Sequence, residues 1–161
     1  MNNLLIIGAG QFGKVTKEIA ESLKIFDKID FLDDNNELAI GKVQDYTKFK
    51  GEYNRAIVAI GNSSTREEIL NKLDSYYNID SIISPNAIVS NSSKIGKGTI
   101  IEPLAIINAN TSIGKGCIIC AGSIINHDSK VGNYCHINCG SIIKSNSVVD
   151  DGIKVDYGEI I

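Results

Sequence analysis

From Ile83 to Ile161 every sixth residue is isoleucine or valine, fourteen positions without a break. The residues two places earlier are all small: Ala87, Ser93, Thr99, Ala105, Thr111, Cys117, Ser123, Ser129, Cys135, Ser141 and Ser147. An isolated amphipathic helix or strand repeats at about 3.6 or 2 residues and does not hold a period of six for so long. A coil of short strands does, if three hexads close one turn of a triangular prism. The branched residue then fills the axis, and the small one points inward where space is tight. A longer period agrees: Ile95-Gly96-Lys97-Gly98 returns as Ile113-Gly114-Lys115-Gly116 and as Val131-Gly132-Asn133-Tyr134, one turn later each time. Asn and Gly can supply left-handed backbone angles at the corners. Such coils bury a core only by stacking, which demands an unbroken register.

Before residue 80 the pattern is different. Leu4–Ile7 is an apolar run closed by Gly8, as in a buried parallel strand. Residues 10–23 carry Phe12, Val15, Ile19 and Leu23 at helical spacing. Ile29–Leu32 and Ala56–Ile60 read as further strands, and Asn62-Ser63-Ser64-Thr65 offers caps for a second helix bearing Ile69, Leu70 and Leu73. This is a βαβ-type unit with a parallel sheet. The expected division is an α/β Rossmann-like unit over 1–80 and a parallel coil over 81–161.

With no Trp and few aromatics, the core must be built from aliphatic layers. The net charge of -3 and the absence of any Lys/Arg block exclude the usual nucleic-acid footprint and a polybasic membrane anchor. The first apolar run is too short to span a bilayer and lacks signal-peptide flanks, so a cytoplasmic protein is expected. Cys117 and Cys135 fall on the small inward column, Cys120 points off the axis and Cys139 falls at a corner. The four do not converge on one tetrahedral point, so no zinc site is expected.

Gly8, Gly10 and Gly13, between a strand and a helix, suit a phosphate-binding turn, and Asp33 follows the second strand where an acidic residue takes ribose hydroxyls. The unit is half the size of a dinucleotide fold, which argues for one mononucleotide half rather than an NAD site. His127 and His136 are the only histidines. In the hexad register His127 falls at a corner, with Asp128 beside it to fix its tautomer, and His136 on a flat face directed outward. Neither is expected to be a core histidine. Being at different corners of one coil, they are not expected to share a pocket within one chain. Two histidines are too few for a trimeric zinc hydratase site of three imidazoles.

Gly8-Ala9-Gly10-Gln11-Phe12-Gly13, Phe31-Leu32-Asp33-Asp34, Ala59-Ile60-Gly61-Asn62 with Arg66, Asn126-His127-Asp128 and His136 occur in an ordered set. In that set the chain resembles the hexapeptide-repeat acyltransferases, specifically the NeuD/PglD type of sialic acid O-acetyltransferases and UDP-4-amino-sugar N-acetyltransferases. The resemblance implies a left-handed parallel β-helix and acetyl transfer from acetyl-CoA, without a metal, to a nucleotide-linked amino sugar. It implies that Gly10, Gln11 and Phe12 line the phosphate and sugar, that Asp33 and Asp34 hold the uridine end, and that Gly61 and Ser64 approach the substrate. It gives His127 the role of general base and Asp128 the supporting role, where many relatives carry Glu. It puts His136 and Tyr157 on the acetyl-CoA side, and implies a homotrimer with sites between subunits. Relatives have further coils for CoA, so the chain reads as short at its C-terminus. Asp150 stands where a corner Gly is expected, and Asp150, Asp151 and Asp156 place negative charge where a CoA phosphate approaches. An O-acetyltransferase and a non-catalytic nucleotide-sugar-binding β-helix are the rival readings.

Overall fold

The computed structural model describes residues 1–161. Its first part is a parallel sheet of β1 (Asn3–Ile7), β2 (Lys28–Leu32), β3 (Ala39–Gly41), β4 (Arg55–Val58) and β5 (Asn78–Ile79), in the order β3-β2-β1-β4-β5. Helix α1 (Gln11–Leu23) follows β1, a 3-10 helix spans Val43–Phe49, and α2 (Ser63–Leu73) follows β4. The central strand β1 is buried on both faces: Leu4 and Ile6 share a core with Ile19 and Ala20 of α1, while Leu5 and Ile7 share one with Leu70 and Leu73 of α2. The sequence did not announce β3, β5 or the 3-10 helix, because two or three residues carry no readable period. The expectation of one mononucleotide half also needs correction. Strands lie on both sides of β1, so the sheet contains the reversal point between β1 and β4 where open α/β sheets bind ligands.

The glycines after β1 have a definite steric reason. Gly8 sits at φ +102°, and a Cβ on Gly13 would lie 2.0 Å from the Gly8 carbonyl oxygen, so only Gly lets α1 start this close to the strand.

From Ile82 onward two-residue strands stack in three parallel sheets, residue i pairing with i+18, as a left-handed β-helix. The column Ile101, Ile107, Ile113, Ile119, Ile125, Val131, Ile137, Ile143, Val149 and Val155 forms the buried axis. At the corners, every sixth residue from Gly98 to Gly158 has positive φ. Six of those corners are Gly, and Leu104, Asn110, Asp128, Tyr134 and Asn146 adopt the same angle. The small inward column has a second function besides fitting. Thr99, Thr111 and Ser129 hydroxyls donate to the carbonyls of Gly114, Asn126 and Lys144, each fifteen residues on, at 2.8–3.1 Å. The thiols of Cys117 and Cys135 make the same contact with Gly132 and Asp150 at 3.1 Å. A side-chain ladder thus ties each coil to the next and supplies donors to buried carbonyls.

The outward face Ile82, Ile100, Ile118 is buried in the same cluster as Leu4, Ile6, Ile19 and Ala20. The α/β unit is therefore docked on one side of the prism through α1, each isoleucine contributing about 1.5–3 kcal/mol by leaving water.

Arg66 of α2 completes the joint. Its side chain is fully buried and has no carboxylate partner. All five N–H groups donate to carbonyls: Nη1 to Ile60 and Gly61 (2.7 and 3.0 Å), Nε to Gly116 (2.6 Å), and Nη2 to Tyr134 and Cys135 (2.6 and 3.3 Å). The first pair closes the turn after β4, and the others belong to corners of two successive coils. Burial lowers the guanidinium pKa from its ordinary value, yet Arg has room to spare before losing its proton. Replacing Arg66 by Met should leave these carbonyls unpaired and cost roughly 3–5 kcal/mol. Replacement by Lys should not restore it, because an ammonium cannot span the five acceptors. Urea unfolding of the three proteins measures both.

Candidate active site

The crevice at the C-terminal ends of β1 and β4 is made of Gly8–Gln11 on one side and Gly61–Ser64 on the other. Gly10 is the N-cap of α1 and brings no side chain to its first turn, so the helix N-terminus faces outward with free N–H groups, beside exposed Gln11. The α2 N-terminus is closed instead: Asn62 accepts from the Thr65 N–H at 2.9 Å, and Ser64 donates to Asn62 at 2.8 Å.

Asp33 is not a free strand end. Its carboxylate accepts from the backbone N–H of Ala9 (2.8 Å) and of Asn35 (2.9 Å), and Asn36 donates to the Ala9 carbonyl (2.9 Å). Partial burial pushes its pKa up, but these backbone donors outweigh it and hold the carboxyl below the ordinary range. Asp33 thus holds the Gly-rich turn in shape. Asp34 is exposed, accepts from the Val43 N–H at 2.9 Å, and opens onto a cavity of about 500 Å³ lined also by Val43, Tyr46, Thr65, Ile69 and Lys72.

Phe12 lies between the two parts of the molecule. Its ring meets His136 edge-on, with centroids 5.0 Å apart, and a Cβ on Gly61 would come within 3.1 Å of it. His136 does point outward from the β-helix, but the expectation that it escapes burial is overturned. It stands in the same outward column as Ile82, Ile100 and Ile118, and the α/β unit covers it to 4 % exposure. The hexad register gives a direction from the axis and says nothing of what docks there. Nε2 lies 3.4 Å from the Cys120 sulfur, and Nδ1 is buried without a hydrogen-bond partner. Burial, then the charges of Arg66 and Lys154, push its pKa down to about 4, against a weaker opposing pull from the Gly61 backbone.

His127 sits on the far side of the prism, in the turn after Ile124–Ile125, and is exposed. Nδ1 is 2.7 Å from Asp128 Oδ2, so the shorter Asp side chain reaches the ring. Asp128 occupies a left-handed corner at φ 60°, which turns its carboxylate back over the preceding residue. Its carboxyl is held below the ordinary range, first by His127 and then by Asn110, whose amide donates to Oδ1 at 3.2 Å. With Nδ1–H given to Asp128, Nε2 carries the lone pair, and the Ser145 hydroxyl lies 3.1 Å from it. Asn110 and Ser145 were not singled out from the sequence. Each lies one 18-residue turn from Asp128 or His127, and that arithmetic would have found them. His127 and the crevice are not brought together within one chain. Tyr157 is exposed, as are Asp150 and Asp156, and Asp151 is tied to the Asn133 backbone N–H at 2.7 Å.

No helix is long and apolar enough to cross a membrane.

Residues 3–73 match the PglD N-terminal domain family, and residues 92–127 match the bacterial transferase hexapeptide (six repeats) family. The chain is 33% identical, across 62% of its length and 50% of the other's, to a UDP-N-acetylbacillosamine N-acetyltransferase of Bacillus subtilis (strain 168). It thus spans about half the length of that relative. Among solved structures it superposes on the acetyltransferase domain of PglB from Neisseria gonorrhoeae FA1090 in complex with acetyl coenzyme A, at TM-score 0.89 and 26% identity, over 98% of this chain and 90% of that one. A mutant of perosamine N-acetyltransferase from Caulobacter crescentus, in complex with CoA and GDP-perosamine, shares the fold at TM-score 0.84 and 22% identity, over 99% and 91% of the two chains.

The buried imidazole has a consequence for stability. A histidine in the unfolded chain takes up a proton near pH 6.5, whereas folded His136 refuses it until about pH 4. Between those values the unfolded state binds more protons, so His136 makes stability fall as pH drops through this window. His136→Gln should shrink the difference in urea midpoint between pH 7 and pH 4.5.

Proposed function

We propose that this chain is a PglD-type hexapeptide-repeat acyltransferase and moves acetyl from acetyl-CoA to the amino group of a UDP-linked amino-deoxysugar. The observation that carries the reading is the exposed His127–Asp128 pair, with Nδ1 engaged and Nε2 presenting its lone pair. The nucleotide-sugar lies in the crevice. Its phosphates meet the open α1 N-terminus at Gly10 and Gln11, and its nucleoside end reaches toward Asp34, with Asp33 shaping the turn. Phe12, Gly61 and Ser64 flank the sugar. Acetyl-CoA approaches on the side of Tyr157 and of His136, which is buried in the single chain.

The sugar amine attacks the thioester carbonyl, forming the C–N bond. His127 Nε2 takes the proton that the amine sheds, and Asp128 steadies the resulting imidazolium. The tetrahedral oxyanion collapses as the C–S bond breaks, and the imidazolium returns its proton to the leaving CoA sulfur. Ser145 holds the ring by Nε2 until the amine arrives. The reaction belongs to the making of bacterial surface glycans, in the cytoplasm. Turnover of His127→Ala at saturating substrates should fall roughly 10²- to 10⁴-fold, and Asp128→Asn should also lose rate. Product mass spectrometry with acetyl-CoA and a panel of UDP-amino sugars checks this. Full turnover by His127→Ala overturns the assignment, and binding of both substrates without product leaves a nucleotide-sugar-binding β-helix.

The active unit in this reading is a homotrimer. One outward face of the prism is a row of isoleucines, Ile88, Ile106, Ile124, Ile142 and Ile160, and no part of the chain covers it. Ile88 is 64% and Ile160 59% exposed. Contiguous apolar strips of this kind mark association surfaces. His127 borders the strip, so packing of a neighbour against it brings the histidine into an intersubunit cleft, near the crevice of another copy. Sedimentation should give a trimer, and Ile124→Asp should yield monomers that have lost activity. A monomeric native protein overturns this.

A further inference from the structure

Glu102, Cys120 and Cys139 come from three successive coils, yet one ligand atom from each lies within 4.8 Å of the other two. Neighbouring coils are spaced about 4.8 Å apart, as hydrogen-bonded strands are, so side chains extended in parallel from coils two apart would stand about 10 Å from each other. These three instead converge. Glu102 is 7% exposed and Cys120 2%, and Cys139 is half-buried, which leaves an opening to solvent.

The Glu102 carboxylate has one backbone donor, Ala121 N–H at 2.9 Å, and no Lys or Arg partner. Buried carboxylates are normally paired with a cation or bound to a metal. Burial pushes the Glu102 carboxyl up, and burial together with that carboxylate and Cys139 pushes the Cys120 thiol up. A cation at the centre of the three would reverse both effects.

We propose that Glu102, Cys120 and Cys139 form a binding site for a thiophilic divalent cation of the zinc type. Two sulfurs and one carboxylate oxygen are a ligand set that suits zinc, and they leave a fourth position for water. Binding releases the two thiol protons to solvent. The bound ion with two thiolates and a carboxylate keeps one negative charge, and Lys154 lies near enough to act on Cys120. His136 is the outer partner. Its Nε2, 3.4 Å from the Cys120 sulfur, donates a hydrogen bond to the thiolate and so orients it. The other two cysteines are spent in the core ladder on Gly132 and Asp150. The ion pins three coils together at the edge where the α/β unit docks.

The test uses the full chain, reduced and stripped with chelator, then titrated with Co²⁺. A thiolate-to-metal charge-transfer band should grow to one equivalent and vanish on adding Zn²⁺. It should be lost in Cys120→Ser and in Cys139→Ser, weakened in Glu102→Gln, and kept in Cys117→Ala. Zn²⁺ should also raise the melting temperature of the native chain above its value in chelator, which decides the matter if a variant does not fold. No charge-transfer band, an undiminished band in Cys120→Ser, or a melting temperature indifferent to Zn²⁺ overturns the proposal.

Discussion

A single buried guanidinium joins the two halves of this molecule. Arg66 carries a full charge with no counter-ion and spends every N–H on a backbone carbonyl. Only the planar fork of Arg can serve five acceptors spread over a turn after β4 and two successive corners of the β-helix. The arrangement sets the height at which the α/β unit meets the prism. That height aligns Phe12 with His136 and fits Leu70 against the Gly98 corner, where a Cβ would come within 2.4 Å.

The three outward faces of the prism differ in what covers them. One, through Ile82, Ile100, Ile118 and His136, is covered by α1 and the turns after β1 and β4. The second is the exposed isoleucine row beside His127. The third carries Lys94, Ser112, Lys130 and Val148, a largely polar set. Axial residues are nearly uniform because they all solve one problem, filling a narrow column. Outward residues differ from face to face, since only one face is covered by the α/β unit. The turns after β1 and β4 and the His127–Asp128 pair lie in different parts of the molecule, the first at the α/β unit and the second on the far side of the prism.

Much of this was legible in the residues. The hexad column forecast the axis from Ile101 to Val155, and the inward small column forecast Cys117 and Cys135 as core residues. The run Leu4–Ile7 with Gly8, Gly10 and Gly13 forecast a strand turning tightly into a helix. Other features were not legible. Arg66 could be quoted as part of a motif, but nothing local says that a charged residue on α2 will meet Gly116 and Tyr134, fifty and sixty-eight residues away. Glu102 stands one 18-residue turn before Cys120, but nothing in that spacing says that the carboxylate and the sulfurs of Cys120 and Cys139 will converge. Asp33 read as a ligand for ribose, and the folded turn shows its carboxylate engaged with Ala9 and Asn35.

By itself, then, the sequence determined the coil, its axis, its corners and the pairing of His127 with Asp128. Each of these follows from short-range periodicity or adjacency, and the chain repeats or states them locally. Tertiary structure alone decided the burial of His136 and the use of Arg66. Those depend on which outward face the α/β unit covers and at what height. That choice is made by contacts between segments far apart in the chain, which no period within either segment records.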